Sequence, residues 1–179
     1  GTGAVKAGKK VAVTDADGKV TEYTADKGVI IATGARSRKL PNIPQDGEKI
    51  IGYREAMTLK TMPKRLVVVG SGAIGVEFAY FYKTLGTEVT IVEFMPNIVP
   101  VEDEEVSKQM EKSFKKSGIK IMTNASVESV DTSGKGCVVK IKTAKGEETI
   151  ECDVVLSAVG IETNLDGIGL EEVGIATDK

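Results

Sequence analysis

Hydrophobic residues occur in short runs along the chain, and their spacing predicts alternating strands and helices. Helical patterns over 76–85 and 102–117 separate the first runs from one another, and Gly118 ends the second helix. Continuous apolar runs of four to six residues are typical of interior parallel strands. Leu66–Val69 and, apart from Ser157, 154–159 are such runs. The segments Glu88–Val92 and 119–122, which include polar residues, are predicted as further strands of the same sheet.

An internal repeat adds a second prediction, because segments 11–34 and 138–160 have the same order of features. Each has an alternating strand, a polar turn, a second alternating strand and a buried-type strand that ends at glycine. The buried-type strands are 29–33 and 154–159. Only the second copy follows a complete set of strands and helices. Since a buried strand needs a sheet, we expect the chain to be the middle of a longer protein with two similar domains.

The predicted class is therefore α/β, with one complete ββα domain. This domain has a parallel sheet, helices on one face and a β-meander over 126–151 on the other. Remnants of a second, similar domain flank it. The predicted parts are 1–34 as the tail of the first domain, 35–62 as a connector with a short helix near 53–59, 63–160 as the complete domain, and 161–179 as an exit segment.

The loop after the first strand predicts the ligand class. Gly70-Ser71-Gly72-Ala73-Ile74-Gly75 has the GxGxxG spacing between a strand and a helix that is typical of dinucleotide-binding folds. Gly70 permits a tight turn, Gly72 lets a pyrophosphate approach the backbone, and Gly75 lets the helix pack close to the strand. The pyrophosphate is expected at the helix N-terminus, where free N–H groups and the dipole favour anions. The complete ββα domain is therefore predicted to be a Rossmann-like nucleotide-binding domain, and the longer protein is expected to have two such domains.

Glu93 ends the second strand, about twenty residues after the middle glycine, where this fold places an acid for the adenosine ribose. A carboxylate there repels a 2′-phosphate, and the following Phe94, Met95 and Pro96 include no cation to bind one. The sequence therefore predicts NAD rather than NADP. The alternative interpretation is a glycine-rich turn with an incidental surface Glu93.

Composition excludes several other classes. Apolar residues make up 41% of the chain and the net charge is −2, so neither nucleic acid nor a membrane is indicated as a partner. Cys137 and Cys152 have no metal-site spacing and are expected to be free thiols. The longest apolar runs are far too short to span a bilayer and no signal-peptide pattern is present, so a cytoplasmic location is expected. The chain contains no histidine and therefore lacks the commonest general base and metal ligand. No metal site is predicted.

Several motifs together resemble the pyridine nucleotide-disulfide oxidoreductases over nearly the whole chain. The resemblance is to the members that oxidise dihydrolipoamide within 2-oxo acid dehydrogenase complexes, which act in the mitochondrial matrix if the source is eukaryotic. It implies NAD and FAD as cofactors and a homodimeric parent enzyme. The motifs are Ile31-Ala32-Thr33-Gly34-Ala35, Gly70 to Ala79, Thr61-Met62-Pro63-Lys64, Val92-Glu93-Phe94, and Ser157-Ala158-Val159-Gly160 with Asn164.

The resemblance also implies roles for individual residues. NAD would lie against Gly70 to Gly75, Glu77 and Glu93, with Val127 near the adenine and Gly160 near the nicotinamide. In the parent, FAD would contact Gly3, Thr33, Gly34 and Ala35. The redox disulfide, the histidine base and the FAD fingerprint of the family have no counterpart in these residues, so the chain alone is expected to bind NAD without turnover and without retaining FAD.

Two positions in the fingerprint are open to a second interpretation. Glu77 is either an ordinary acid near a helix start or, as the resemblance implies, an auxiliary group that pairs in the parent with a lysine beside the disulfide. Ala73 stands where some relatives carry an aromatic gate over the nicotinamide pocket, which implies a less obstructed pocket.

Other functions remain as alternatives. The main one is another flavin disulfide reductase, an NADH oxidase or a peroxidase of the same family. A short-chain dehydrogenase is disfavoured because the Tyr23 and Lys27 pair, which has YxxxK spacing, precedes the fingerprint. A non-catalytic NAD-binding module is the third alternative.

Overall fold

The computed structural model describes residues 1–178, which form two compact units. The first comprises Gly1–Arg36 and the residues from Glu162 onward, and the second comprises Ser37–Ile161. The helices are α1 (Tyr53–Ala56), α2 (Ala73–Thr84) and α3 (Glu104–Lys116), with a 3-10 turn at Glu171–Val173. The strands are β1 (Thr2–Lys6), β2 (Lys10–Thr14), β3 (Val20–Thr24), β4 (Ala35–Ser37), β5 (Ile50–Ile51), β6 (Arg65–Val69), β7 (Glu88–Val92), β8 (Lys120–Met122), β9 (Ser126–Asp131), β10 (Cys137–Thr143), β11 (Gly146–Cys152), β12 (Val154–Ser157) and β13 (Ile161–Thr163).

A five-stranded parallel sheet forms the centre of the second unit, in the order β5-β12-β6-β7-β8. Register pairs align Leu66 with Val154 on one side and with Val89 on the other. The strand order reverses beside β6, which is the position where open α/β sheets bind ligands at the carboxyl ends of their strands. The predicted α/β class with a parallel sheet is confirmed.

Successive residues of the central strands pack on opposite faces of this sheet. Leu66 and Val68 contact a cluster that includes Val76, Ala79 and Tyr82 of α2. Val67 and Val69 belong to a second cluster on the other face, together with residues of the antiparallel meander β9-β10-β11. The alternation follows from the two-residue period of a strand. Helices therefore cover one face and the meander covers the other, as predicted.

Local signals explain where the helices begin and end. The Asp103 carboxylate accepts a hydrogen bond from the N–H of Glu105 at 2.8 Å and caps α3. Gly86 and Gly118 follow α2 and α3 with φ values of 98° and 81°, a conformation in which glycine is favoured. The helices accordingly begin and end within a few residues of their predicted bounds.

The first unit contains the meander β1-β2-β3 and the segment that begins at Glu162. The Val5 N–H donates to the Ile168 carbonyl at 2.7 Å. Arg36 forms ion pairs with Asp166 at 2.9 Å and Glu162 at 3.3 Å. Two stretches distant in sequence thus form one unit.

The predicted buried strand at 29–33 is wrong for this structure. These residues form no strand, and Ile30 is 91% exposed. The corresponding strand of the second repeat, β12, is buried between β5 and β6. Within residues 1–178 no strand pairs with 29–33, and an apolar run becomes a buried strand only when neighbours supply hydrogen bonds and cover.

Part of the predicted connector 35–62 belongs to the second unit, since β5 is an edge strand of its sheet. No helix among the described residues is long and apolar enough to cross a membrane. Both cysteines are buried free thiols, as predicted.

Candidate functional site

The loop between β6 and α2 makes the tight turn that its glycines predict. Gly70 has φ of 95°, and a Cβ there would lie 2.5 Å from the carbonyl oxygen of Ala158. Both the backbone conformation and the neighbouring strand end therefore exclude a side chain. The Gly70 N–H donates to the Val92 carbonyl at 2.9 Å, which ties the loop to the end of β7.

The N-terminus of α2 faces open space. Its N-cap residue, Gly72, supplies no side-chain hydrogen bond to the first turn. A Cβ built on Gly72 meets nothing within 4 Å. The first N–H groups of a helix lack intrahelical partners, and here no capping side chain occupies the space before them. This arrangement is suited to an anion such as a pyrophosphate.

A cavity of about 580 Å³ lies against this loop at the carboxyl ends of β6, β7 and β12. Its walls combine apolar side chains with the carboxylate of Glu93. The structure brings together most of the residues predicted to contact NAD. Those that line the cavity are Gly70, Ser71, Gly72, Ala73, Ile74, Glu93, Val127 and Gly160.

Glu93 is 7% exposed, and its carboxylate is held by hydrogen bonds from two neighbouring segments. Oε2 accepts from the Ser71 N–H at 2.7 Å and from the Ser71 hydroxyl at 2.6 Å. Oε1 accepts from the Met95 N–H at 2.8 Å. The acid that the sequence assigns to the ribose thus lies directly beside the loop between β6 and α2.

Two other fingerprint residues lie away from the cavity lining. Gly75 is buried within α2, where a Cβ would overlap the Gly70 carbonyl, so its role in the structure is close packing. Glu77 is exposed, and none of the ion pairs among residues 1–178 includes it. Its auxiliary role stays a prediction.

The residues assigned to FAD belong to the first unit. Gly3 lies in β1 and Ala35 in β4. Asn164 donates from its side chain to the Thr33 carbonyl at 3.1 Å and from its N–H to the Gly34 carbonyl at 3.0 Å. Gly34 has φ of 74°. Their contact with FAD stays a prediction.

Sequence reasoning did not assign several residues that also line the cavity. Phe94, Ala158 and Val159 lie within two residues of the ends of β7 and β12, so their position at strand carboxyl ends was a usable signal. Leu40 and Ile43 come from the irregular segment before β5, where no sequence pattern indicated them. The unassigned lining residues are Leu40, Ile43, Val69, Val92, Phe94, Ala125, Ser126, Ala158, Val159 and Ile161.

The family of the chain follows from comparison with known proteins. The family described as pyridine nucleotide-disulphide oxidoreductase matches residues 1–179. The chain is 46% identical over 158 residues to a dihydrolipoyl dehydrogenase of Rhizobium etli, covering 88% of the chain and 33% of that protein. It is 41% identical over 180 residues to a dihydrolipoyl dehydrogenase of Chlorobaculum tepidum, covering 100% of the chain and 38% of that protein.

Solved structures agree with this result. LpdA from Mycobacterium tuberculosis has a TM-score of 0.82 and 37% identity, with 95% of this chain and 36% of that chain covered. The flavoprotein disulfide reductase RclA from Escherichia coli has a TM-score of 0.79 and 25% identity, with 100% and 39% covered. The protein belongs to the pyridine nucleotide-disulphide oxidoreductase family. The chain spans about a third of the length of the curated relatives that it matches.

Proposed function

We propose that residues 37–161 bind NAD(H) and form the NAD-binding part of a dihydrolipoyl dehydrogenase. The observation that carries this proposal is the buried Glu93 carboxylate, held 2.7 Å from the N–H of Ser71 at the phosphate loop. A carboxylate in this position accepts hydrogen bonds from ribose hydroxyls and repels a 2′-phosphate. The relatives named dihydrolipoyl dehydrogenase support the assignment to that enzyme.

The residues present fit a dinucleotide. Gly72 leaves the helix N-terminus accessible to the pyrophosphate, since a Cβ at that position would extend into open space. Glu93 would hold the adenosine ribose, Val127 would contact the adenine, and Gly160 would lie near the nicotinamide. The small side chain of Ala73 leaves the cavity wall unobstructed at the start of α2.

The activity proposed for the whole protein is the oxidation of dihydrolipoamide by NAD, which yields lipoamide and NADH. FAD and NAD, when bound, supply hydride transfer, and a redox disulfide accepts the electrons of the substrate. Gly3, Thr33, Gly34 and Ala35 would contact the FAD. The 179 residues contain no histidine, and their two cysteines, Cys137 and Cys152, are fifteen positions apart in sequence, so this chain supplies nucleotide binding and not the dithiol chemistry.

The proposed partners follow from the same assignment. They are NAD(H), a second copy of the parent enzyme, and a 2-oxo acid dehydrogenase complex. The proposed location is the cytoplasm, or the mitochondrial matrix in a eukaryote, because the buried cysteines are free thiols and such thiols are typical of reducing compartments.

Calorimetric titration of the chain with NADH and NADPH tests the nucleotide assignment. We expect NADH to bind at least about fivefold more tightly, since two like charges about 4 Å apart repel by about 1 kcal/mol or more. Equal affinities would contradict the role of Glu93, and no binding of either nucleotide would overturn the proposed function.

A second test asks whether these residues alone retain FAD or oxidise dihydrolipoamide. The purified chain is expected to be colourless and to form no NADH from dihydrolipoamide and NAD. A flavin absorption spectrum after purification, or dihydrolipoamide-dependent NADH formation, would show that these residues supply more of the enzyme than proposed. Adding free FAD during purification is the control for loss of cofactor.

A further inference from the structure

The hydroxyl of Ser71 is directed at Glu93. Ser71 is 1% exposed, although it belongs to the loop that lines the cavity. Its Oγ donates to Glu93 Oε2 at 2.6 Å, and its N–H donates to the same oxygen at 2.7 Å. Ser71, in the loop between β6 and α2, therefore donates two hydrogen bonds to one carboxylate oxygen of Glu93.

The charge of Glu93 depends on these donors. The carboxylate is 7% exposed, and no ion pair among the described residues includes it. A buried carboxylate is costly unless hydrogen bonds replace its lost hydration. The Met95 N–H supplies the remaining bond, to Oε1. Ser71 thus provides both hydrogen bonds to Oε2, one from its backbone and one from its side chain.

Ser71 is itself fixed from its other side. Its carbonyl oxygen accepts from the Val99 N–H at 3.0 Å. Val99 is 5% exposed and has φ of 42°, a conformation that β-branched residues rarely adopt and that the surrounding packing must hold. The N–H of Gly70, which precedes Ser71, donates a hydrogen bond to the carbonyl of Val92, which precedes Glu93. The backbone on both sides therefore fixes where the hydroxyl lies.

We propose that the Ser71 hydroxyl is a positioning group that orients Glu93 and thereby sets the preference for NAD over NADP, acting through Glu93 and not on the nucleotide. This inference rests on the proposed function. A carboxylate has about four acceptor positions, and the observed bonds leave the free one on Oε1. Because Oε2 is hydrogen-bonded to Ser71, Oε1 stays available to a ribose hydroxyl. The carboxylate of Glu93 then cannot rotate away from a 2′-phosphate.

A double-mutant cycle on the 179-residue chain tests the proposal. Ser71→Ala, Glu93→Ala and the double variant are titrated with NADH and with NADPH. We expect Ser71→Ala to weaken NADH binding about three- to tenfold and to narrow the NADH preference. In the Glu93→Ala background the same change is expected to alter NADH affinity less than about twofold, because the group on which the hydroxyl acts is gone.

Ser117→Ala is the control. Ser117 lies at the end of α3, outside the cavity lining, and its hydroxyl donates to the Ser113 carbonyl at 2.9 Å. We expect this variant to bind both nucleotides as the wild type does, within about twofold. A Ser117→Ala variant that narrowed the NADH preference as much as Ser71→Ala would overturn the proposal, because loss of a serine hydroxyl that does not contact Glu93 would then suffice.

The outcomes separate this inference from the proposed function. If the wild type binds NADH and Ser71→Ala weakens binding equally with and without Glu93, the hydroxyl acts directly on the nucleotide and the inference is wrong. If the wild type binds neither nucleotide, the proposed function fails. If Ser71→Ala shows no cooperative thermal unfolding, the cycle is repeated with Ser71→Cys. Cysteine has a side chain of similar volume but donates only a weak hydrogen bond, so the same outcomes apply.

Discussion

The carbonyl oxygen of Gly70 occupies the space that a side chain on Gly75 would need. A Cβ on Gly75 would also lie 3.0 Å from the Gly70 carbonyl carbon and 3.5 Å from the Cβ of Ala158. The first turn of α2 is thus packed directly on the loop that leaves β6. The third glycine of the fingerprint supports the site by close packing, whereas Gly72 faces the open cavity.

These two glycines are expected to respond differently to a methyl group. Gly75→Ala should lower the free energy of unfolding by about 1–3 kcal/mol, because the overlap is with backbone that cannot move aside. Urea denaturation measures this loss. The free energy of unfolding of Gly72→Ala should lie within about 0.5 kcal/mol of the wild-type value, since the added Cβ meets open space. It should nevertheless bind NADH at least about tenfold more weakly, because the methyl group occupies the approach of the pyrophosphate.

The opposite pattern would contradict this division of roles. A Gly72→Ala chain that bound NADH as tightly as the wild type would show that the pyrophosphate does not approach there. A Gly75→Ala chain of unchanged stability would show that α2 shifts away from the loop without cost.

Removing the Glu93 carboxylate should change nucleotide preference. Glu93→Ala is expected to weaken NADH binding about ten- to a hundredfold, because it removes hydrogen bonds between the ribose and a charged group. NADPH binding is expected to change much less. Fluorescence titration with the two reduced nucleotides measures both affinities. Glu128→Ala, which removes an exposed carboxylate near the same cavity, is the control and should leave the NADH preference intact.

Tyr82 should stabilise the second unit through its hydroxyl. The side chain is 2% exposed, and its hydroxyl donates to the Ala56 carbonyl at 2.6 Å, which joins α2 to α1. Tyr82→Phe should lower the free energy of unfolding by about 1–2 kcal/mol, since it leaves that carbonyl without this donor. Tyr80→Phe, at a side chain that is 58% exposed, should have almost no effect.

Alkaline pH should act on the same group. Burial raises the pKa of Tyr82 above its ordinary value, so the folded state holds the phenolic proton more tightly than the unfolded state. The contribution of the protonated Tyr82 phenol to the free energy of unfolding is complete below a pH of about 10. It is lost as the pH rises through the folded-state pKa of Tyr82. Unfolding measured at several pH values above 10 should show a shallower decline in Tyr82→Phe than in the wild type.

The two cysteines should be unreactive in the folded protein. Cys137 and Cys152 lie directly opposite each other on β10 and β11, and each is 2% exposed. Burial raises the pKa of the Cys152 thiol to about 12 and also raises the pKa of Cys137. Since the thiolate is the reactive form, a disulfide reagent at pH 8 should modify neither residue until urea unfolds the chain. Rapid modification of native protein would contradict this burial.

Much of the second unit could be predicted from local sequence. The apolar runs of β6, β7 and β12 and the glycine spacing after β6 specify strand, turn and helix through interactions between near neighbours. Gly70 and Gly72 were assigned on backbone conformation and close approach alone, and the structure places both at the predicted turn. Glu93 was assigned because its position after β7 is part of the same local pattern.

Contacts between distant segments decided the rest. The run at 29–33 resembles β12 in sequence, yet it is exposed, because burial requires partner strands that a local pattern cannot supply. Leu40 and Ile43 reach the cavity only because the irregular segment before β5 lies against the sheet of its unit. The bond between Ser71 and Glu93 joins residues on two different strand ends. The sequence by itself determined the main strands and helices of the second unit and the tight turn after β6. The tertiary structure decided which apolar runs are buried and which side chain donates to the Glu93 carboxylate, since both depend on groups brought together only by folding.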